Sequence, residues 1–223
     1  ESDLAVILTD LPALTFPHYS SSQSTYYLAN SGHGAQVTVS NWLHRPRARG
    51  GPLNGTYMLE QVHFHWGEED GVGSEHWMDG SPFSMEVHFV HWNKKYGTYE
   101  EAAQQPDGLA VVAFFIEGLD NYRNTQFQKL VDLIPQIKDK TGAKVEAHTD
   151  LLAWALPNLE SGGYFTYAGS LTTAPFSENV RWIVYDNPVV IGRKQIAAFR
   201  EIENSHREIL LSNKRDLQEV DGR

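Results

Sequence analysis

The 223-residue chain contains no cysteine. That excludes disulfides and thiolate metal sites, and leaves His, Asp and Glu as the strong metal ligands. Basic charge is scarce: Lys and Arg number 18 against 28 Asp and Glu, for a net charge of −10. With no basic stripe, the chain lacks the electrostatic footprint of a nucleic-acid binder. Its densest basic stretch, Arg45-Pro46-Arg47-Ala48-Arg49, lies among Pro and Gly and reads as a solvated loop. No apolar run approaches the roughly 18 residues that a membrane-spanning helix needs. No secretory leader or lipidation motif stands in the printed residues. Lack of cysteine favours a reducing compartment, whereas Asn54-Gly55-Thr56 is a glycosylation sequon that leans toward the secreted state. The two signals oppose each other and leave the address open, as is the oligomeric state.

What is present is apolar and aromatic. A hydrophobic share of 41% with 12% aromatics suits a globular fold and argues against disorder. Without repeats, low-complexity tracts or a charged linker, residues 1–223 read as a single domain. Strand-like runs recur at Tyr26–Leu28, Gln36–Ser40, Tyr57–Trp66, Phe83–Trp92, Leu109–Ile116 and Val180–Tyr185. Leu109–Ile116 is apolar on both faces, as a central strand buried on both sides should be. Helical spacing is sparse: Phe127, Leu130, Val131 and Ile134 make one short helix, and Ile196, Phe199 and Ile202 suggest another. The expected fold is therefore mainly β (α+β), with a few short surface helices.

Three histidines stand out against this background. His63 and His65 lie in Gln61-Val62-His63-Phe64-His65-Trp66, and His88 lies in Met85-Glu86-Val87-His88-Phe89-Val90-His91-Trp92. Period 2 puts His63 and His65 on one face of a strand and Val62 and Phe64 on the other. A neighbouring strand could bring His88 to that face. Three imidazoles on a rigid sheet form a zinc site with one tetrahedral vertex open, the mark of catalytic rather than structural zinc. The plainer alternative is three unrelated histidines. Gln61 and Glu86 each lie two residues before a candidate ligand and share its face. Either could accept the other ring N–H of its histidine and fix the tautomer, and an imidazole partner would explain a glutamate facing a dry surface. An edge-strand Glu86 facing solvent is the competing reading.

These residues, with further segments, resemble the α-class carbonic anhydrases. The matching segments are Gly50-Gly51-Pro52-Leu53-Asn54-Gly55-Thr56-Tyr57, Gly73-Ser74-Glu75-His76, Glu86–Asn93, Gln104–Val111 and Gly169-Ser170-Leu171-Thr172-Thr173-Ala174-Pro175. They stand in the family's order, and the correspondence as a whole runs from about Gly32 to Arg215. The resemblance implies a single domain around a large, twisted, mostly antiparallel sheet with a conical active-site cleft. It implies reversible hydration of carbon dioxide to bicarbonate and a proton, by attack of zinc-bound hydroxide, and inhibition by sulfonamides. The implied partner is a small-molecule substrate. Carried over residue by residue, His63, His65 and His88 would bind Zn2+. Thr172 would accept from the hydroxide and donate its own proton to Glu75. Gln61, Glu86 and the backbone carbonyl of Asn213 would hold the ligands. Val90, Val111, Leu171, Thr173, Val180 and Trp182 would line the substrate pocket. His33, between glycines in Asn30-Ser31-Gly32-His33-Gly34, matches the proton-shuttle position.

Each role has independent physics. Zinc lowers the pKa of bound water to about 7, for which this enzyme family is the standard example. Carbon dioxide has no net dipole, so an apolar wall can hold it beside the metal. A proton recaptured at a diffusion-limited rate leaves such a water for plain water at only about 10³ s⁻¹, so faster turnover needs a relay titrating near neutrality. His18, His44, His148 and His206 read instead as solvent-facing loop residues. Departures are expected to matter. Ser31 and Gln36 replace asparagines that order cleft water, and Ala174 replaces a proline. The family's N-terminal segment and last strand have no counterpart before Glu1 or after Arg223. Two other readings compete: a cupin-type barrel holding iron or manganese with Glu68 or Glu69, and a related domain that binds without catalysing.

Overall fold

The computed structural model describes residues 11–218; the expected departures at the chain's two ends lie outside them. Its nine strands are β1 (Tyr26–Asn30), β2 (Ala35–Val39), β3 (Arg47–Gly50), β4 (Leu53–Trp66), β5 (Met85–Asn93), β6 (Leu109–Leu119), β7 (Lys144–Ala147), β8 (Tyr164–Gly169) and β9 (Val180–Gly192). They form one sheet in the order β7-β1-β2-β4-β5-β6-β9-β8, with β3 also on β4. Only β6 and β9 run parallel; the other pairs are antiparallel. Four helices of four to seven residues decorate it: α1 (Tyr99–Ala102), α2 (Thr125–Val131), α3 (Leu156–Glu160) and α4 (Arg193–Ala197). The expected mainly β fold is what forms.

β5 and the first eight residues of β6 are buried throughout, as their two-sided apolar sequences require. Each sheet face then needs its own cover. One face carries the larger core, where Val62, Phe64, Trp66 and Phe89 meet Phe127, Trp154 and Phe199. The other carries a smaller cluster built from Met58, Val90, Trp92, Val111, Phe115, Val180 and Trp182. Helix α2 fits this plan. Asn124 caps it by accepting from the N–H of Gln126 and Phe127, and its buried residues, Phe127 and Leu130, face the larger core.

One irregularity decides which side chains face which way. The β4–β5 register shifts between Leu59 and Gln61, so that Glu60 is an extra residue in β4. A bulge flips the parity of a strand whose side chains alternate with period 2. Met58 before it and His63 and His65 after it therefore share the smaller-cluster face, despite differing in parity. Glu60 accepts from Arg45 Nη1 and Trp92 Nε1, each at 3.1 Å.

The Arg45–Arg49 stretch corrects the sequence reading. Arg47–Gly50 is a strand paired with β4, Ala48 is fully buried, and Arg45 reaches the carbonyls of Leu59 and Val39. A short edge strand with alternating charge carries no hydrophobic signal of its own. The same applies to β7, whose Lys144-Val145-Glu146-Ala147 alternates exposed and half-buried positions.

His91 is a buried neutral imidazole outside the metal-ligand set. Its Nδ1–H donates to the Phe89 carbonyl at 2.8 Å, leaving Nε2 to accept from the Tyr19 hydroxyl at 2.7 Å. Burial pulls its pKa from 6.5 to about 4. The unfolded chain thus takes up a proton below about pH 6.5 while the folded chain resists until about pH 4. This group's share of stability is present above that window and is lost as pH falls through it, by about 3 kcal/mol. Urea unfolding between pH 7 and pH 4 is expected to show a shallower loss in His91→Phe than in the unmutated chain. Parallel slopes would show that His91 is not held neutral.

Candidate metal centre and its cleft

The register places the three histidines. His63 pairs directly with His88 across β4–β5, and His65 pairs with Glu86. All three imidazoles stand on the same sheet face. His65 Nε2 and His63 Nε2 lie 3.1 and 3.2 Å from His88 Nδ1, so three ring nitrogens converge on one point. A metal site needs all three lone pairs turned inward, and the partners of the far nitrogens favour that orientation. His63 Nδ1–H donates to Gln61 Oε1 at 2.9 Å, and His65 Nδ1–H donates to the Asn213 carbonyl at 3.2 Å. His88 Nε2–H donates to Glu86 Oε1 at 2.6 Å. The three outer partners named from the sequence and the resemblance are thus in contact with their histidines. They dictate which ring nitrogen each histidine presents: Nε2 twice and Nδ1 once.

Electrostatics agree. Burial, then the neighbouring His65 and His88, push the His63 pKa well below its usual value; burial does the same to His65. Unprotonated imidazoles are the form that binds metal. Glu86 is fully buried, which opposes ionisation. Yet His76 and His88 hold its carboxyl well below the usual carboxylate range. Its Oε2 accepts the backbone N–H of Glu75 at 3.0 Å and of His76 at 2.7 Å, and its Oε1 also accepts from His76 Nδ1 at 2.6 Å. His76 is the residue that sequence reasoning passed over. It lies in Gly73-Ser74-Glu75-His76, where sequence alone assigns it no role, because only the fold puts it beside Glu86. Burial opposes charge on His76, but Glu86 outweighs it and raises the pKa. The Tyr167 hydroxyl holds its other nitrogen.

Glu75 is also buried. Its Oε1 accepts from the Arg215 N–H at 2.8 Å and lies 3.2 Å from His65 Nδ1; its Oε2 has no hydrogen-bond partner. Among the described residues no Thr172–Glu75 hydrogen bond is formed. Thr172 is half-buried on a loop pinned by Leu171 N–H to the Ser177 carbonyl and by Phe176 N–H to the Thr173 carbonyl. Trp182 Nε1 donates to the Ser170 carbonyl at the loop's entry.

Beside the centre, Val90, Val111, Val180 and Trp182 are buried in one cluster, with Leu171 packed on it. The registers Val90↔Val111 and Val111↔Trp182 line them across three strands. The Trp182 ring meets the His88 ring edge-on at 4.8 Å. A cleft of about 610 Å3 opens over the centre, lined by His63, His65, Gln61, Gln36, His33 and Thr173 among others. His206, read as a solvent-facing loop residue, is exposed but lines this cleft too.

A profile of the eukaryotic-type carbonic anhydrases matches residues 2–223. The chain belongs to that family. It is 42% identical over 201 residues to human carbonic anhydrase 7, covering 88% of this chain and 74% of the relative. It is 41% identical over 201 residues to the mouse protein of the same name, with the same coverage. It is 38% identical over 204 residues to carbonic anhydrase 1 of Monodelphis domestica, covering 88% and 75%. The family's reaction is hydration of carbon dioxide, and family membership places the chain among enzymes and removes the cupin reading; the catalytic relatives and the intact histidine trio stand against the non-catalytic one. No helix among the described residues is long and apolar enough to cross a membrane.

Proposed function

We propose that the chain catalyses zinc-dependent, reversible hydration of carbon dioxide to bicarbonate, with His33 carrying the released proton to solvent. One observation carries the metal assignment: three imidazole nitrogens face a common point, and two of their rings, His63 and His65, line the cleft. Three neutral nitrogen donors with an open side suit catalytic zinc. His63, His65 and His88 would hold it, each fixed by its outer partner. When bound, zinc supplies Lewis acidity and a water acidic enough to ionise near neutral pH.

The remaining work falls to the chain. Val90, Val111, Leu171, Val180 and Trp182 hold an apolar substrate without competing for the metal, and Thr173 lines the way in. Glu75 Oε1 is already committed to Arg215, so its buried Oε2 calls for a donor. Thr172, not bonded to Glu75 in this structure, is the donor we assign to it: with its proton given to Glu75, the hydroxyl could only accept from the cleft and would select a nucleophile that carries a proton. His33 stands exposed on the cleft wall, its loop tethered by Asn213 Nδ2–H to its carbonyl at 3.0 Å.

Zinc content and carbon dioxide hydration measured on one sample, with and without a chelator, test the reading. One zinc per chain and chelator-sensitive hydration are expected; hydration unaffected by complete metal removal would defeat it. Thr172 is tested separately with an aromatic sulfonamide, whose N–H would donate to its hydroxyl. Thr172→Val is expected to weaken binding by about 1–3 kcal/mol, the cost of a stranded buried hydrogen-bonding group. Equal affinity in titration calorimetry would remove Thr172 from that role.

A further inference from the structure

His206 shares the cleft wall with His33. Its backbone is firmly placed. Asn204 Oδ1 accepts the N–H of His206 at 2.8 Å and of Glu208 at 3.0 Å, and the Asn204 N–H donates to the Glu208 carbonyl at 2.8 Å. Two bonds then dock this turn. Ser205 N–H donates to the Gly32 carbonyl at 3.2 Å, next to His33, and Thr141 Oγ1–H donates to the Asn204 carbonyl at 3.3 Å. Asn213 Nδ2 bridges the His33 carbonyl and the Phe64 carbonyl of β4, at 3.0 and 2.9 Å. The two histidine-bearing loops and the strand carrying His63 and His65 are therefore one hydrogen-bonded unit around one cleft.

The His33 side of that cleft is also short of a hydroxyl. Ser31 Oγ–H donates to the Gly34 carbonyl at 3.0 Å and accepts the His33 N–H at 3.2 Å, so it is committed to its own turn rather than to cleft water. Both imidazoles are exposed, which a relay that must hand its proton to buffer requires. The charged groups around His206 are Arg207 and Glu208 on its own turn, with Lys214 and His33 elsewhere on the wall.

We propose that His206 is a second proton relay, working in parallel with His33; this rests on the hydration function proposed above. In each transfer the cleft water takes up the proton released by hydration as it gives one of its own to an imidazole nitrogen, so an O–H bond forms for each one broken; the imidazolium then loses a ring proton to a buffer base in solution. Imidazole is the side chain suited to this exchange near neutral pH.

The test measures kcat and kcat/KM for carbon dioxide hydration in weak buffer with the zinc-loaded unmutated protein, His33→Ala, His206→Ala and the double variant. Each single variant is expected to keep a substantial share of kcat. The double variant should fall roughly tenfold below either, less than the ~10²–10⁴-fold a positioned proton-transfer group typically contributes, because plain water and weak buffer still carry some protons. kcat/KM should stay nearly constant throughout, since proton export follows the carbon dioxide step. Added imidazole should restore the double variant most. A double variant no slower than His33→Ala overturns the proposal, as does a His206→Ala loss that falls equally on kcat and kcat/KM and ignores imidazole. An unmutated protein without hydration activity would sink the parent reading as well, and that failure shows before any variant is compared.

Discussion

His88→Ala is expected to leave the chain without bound zinc after dialysis and with hydration no higher than in the chelated protein. His88 is the keystone of the trio, since its Nδ1 is the atom that both His63 Nε2 and His65 Nε2 approach, at 3.2 and 3.1 Å. Removing it leaves two donors where catalytic zinc takes three. The loss should exceed the roughly 10–100-fold that removing an outer partner of a metal ligand costs. Metal analysis and hydration rates on the same preparation check it. A variant retaining one zinc and its activity would mean the ligands lie elsewhere.

Glu86→Ala is expected to damage both affinity and stability. The carboxylate receives four donors: His88 Nε2–H, His76 Nδ1–H and the N–H groups of Glu75 and His76. Truncation strands all four in a site where Glu86 itself is fully buried. Breaking a buried ionic contact from one side costs about 3–5 kcal/mol. Zinc affinity should fall about 10–100-fold, because His88 loses the acceptor that sets its tautomer. Glu86→Gln keeps one acceptor oxygen but turns an N–H2 toward donors, so it should fall between the two. Unfolding in urea gives the stability change, and competition with a chelator of known affinity gives the metal constant. If Glu86→Ala unfolds at the same urea concentration as the unmutated chain, the four-donor account is wrong.

Much of this site was legible before any fold was seen. Period-2 alternation alone set His63 beside His65 and paired each with the face of Gln61, and placed Val90 beside His88 and Glu86. The strongly apolar strands β4, β5, β6 and the start of β9 were found for the same reason: burial on both faces writes itself into composition. Strands β3 and β7 escape sequence reading because edge strands are held mainly by backbone bonds to a neighbour, which leave little trace in side-chain pattern, whereas the missed β8 does carry a strand-favouring Tyr-Phe-Thr-Tyr run. The chain's own order of residues thus determined a β-rich, cysteine-free domain and the histidines able to take a metal; with the family's motifs, it also named their outer partners.

Tertiary structure decided what no local pattern encodes. The Leu59–Gln61 register shift chose which parity of β4 faces the cleft, and the β4–β5 pairing set His63 opposite His88. Contacts with Asn213, far along the chain, and with Glu86 selected Nε2 on His65 and Nδ1 on His88. His76 acquired a role only by docking on Glu86, and His206 reached the cleft only because its turn bonds to Gly32. All of these are relations between residues distant in sequence or across strands. Their free energy comes from register and packing, so they exist only once the sheet has closed.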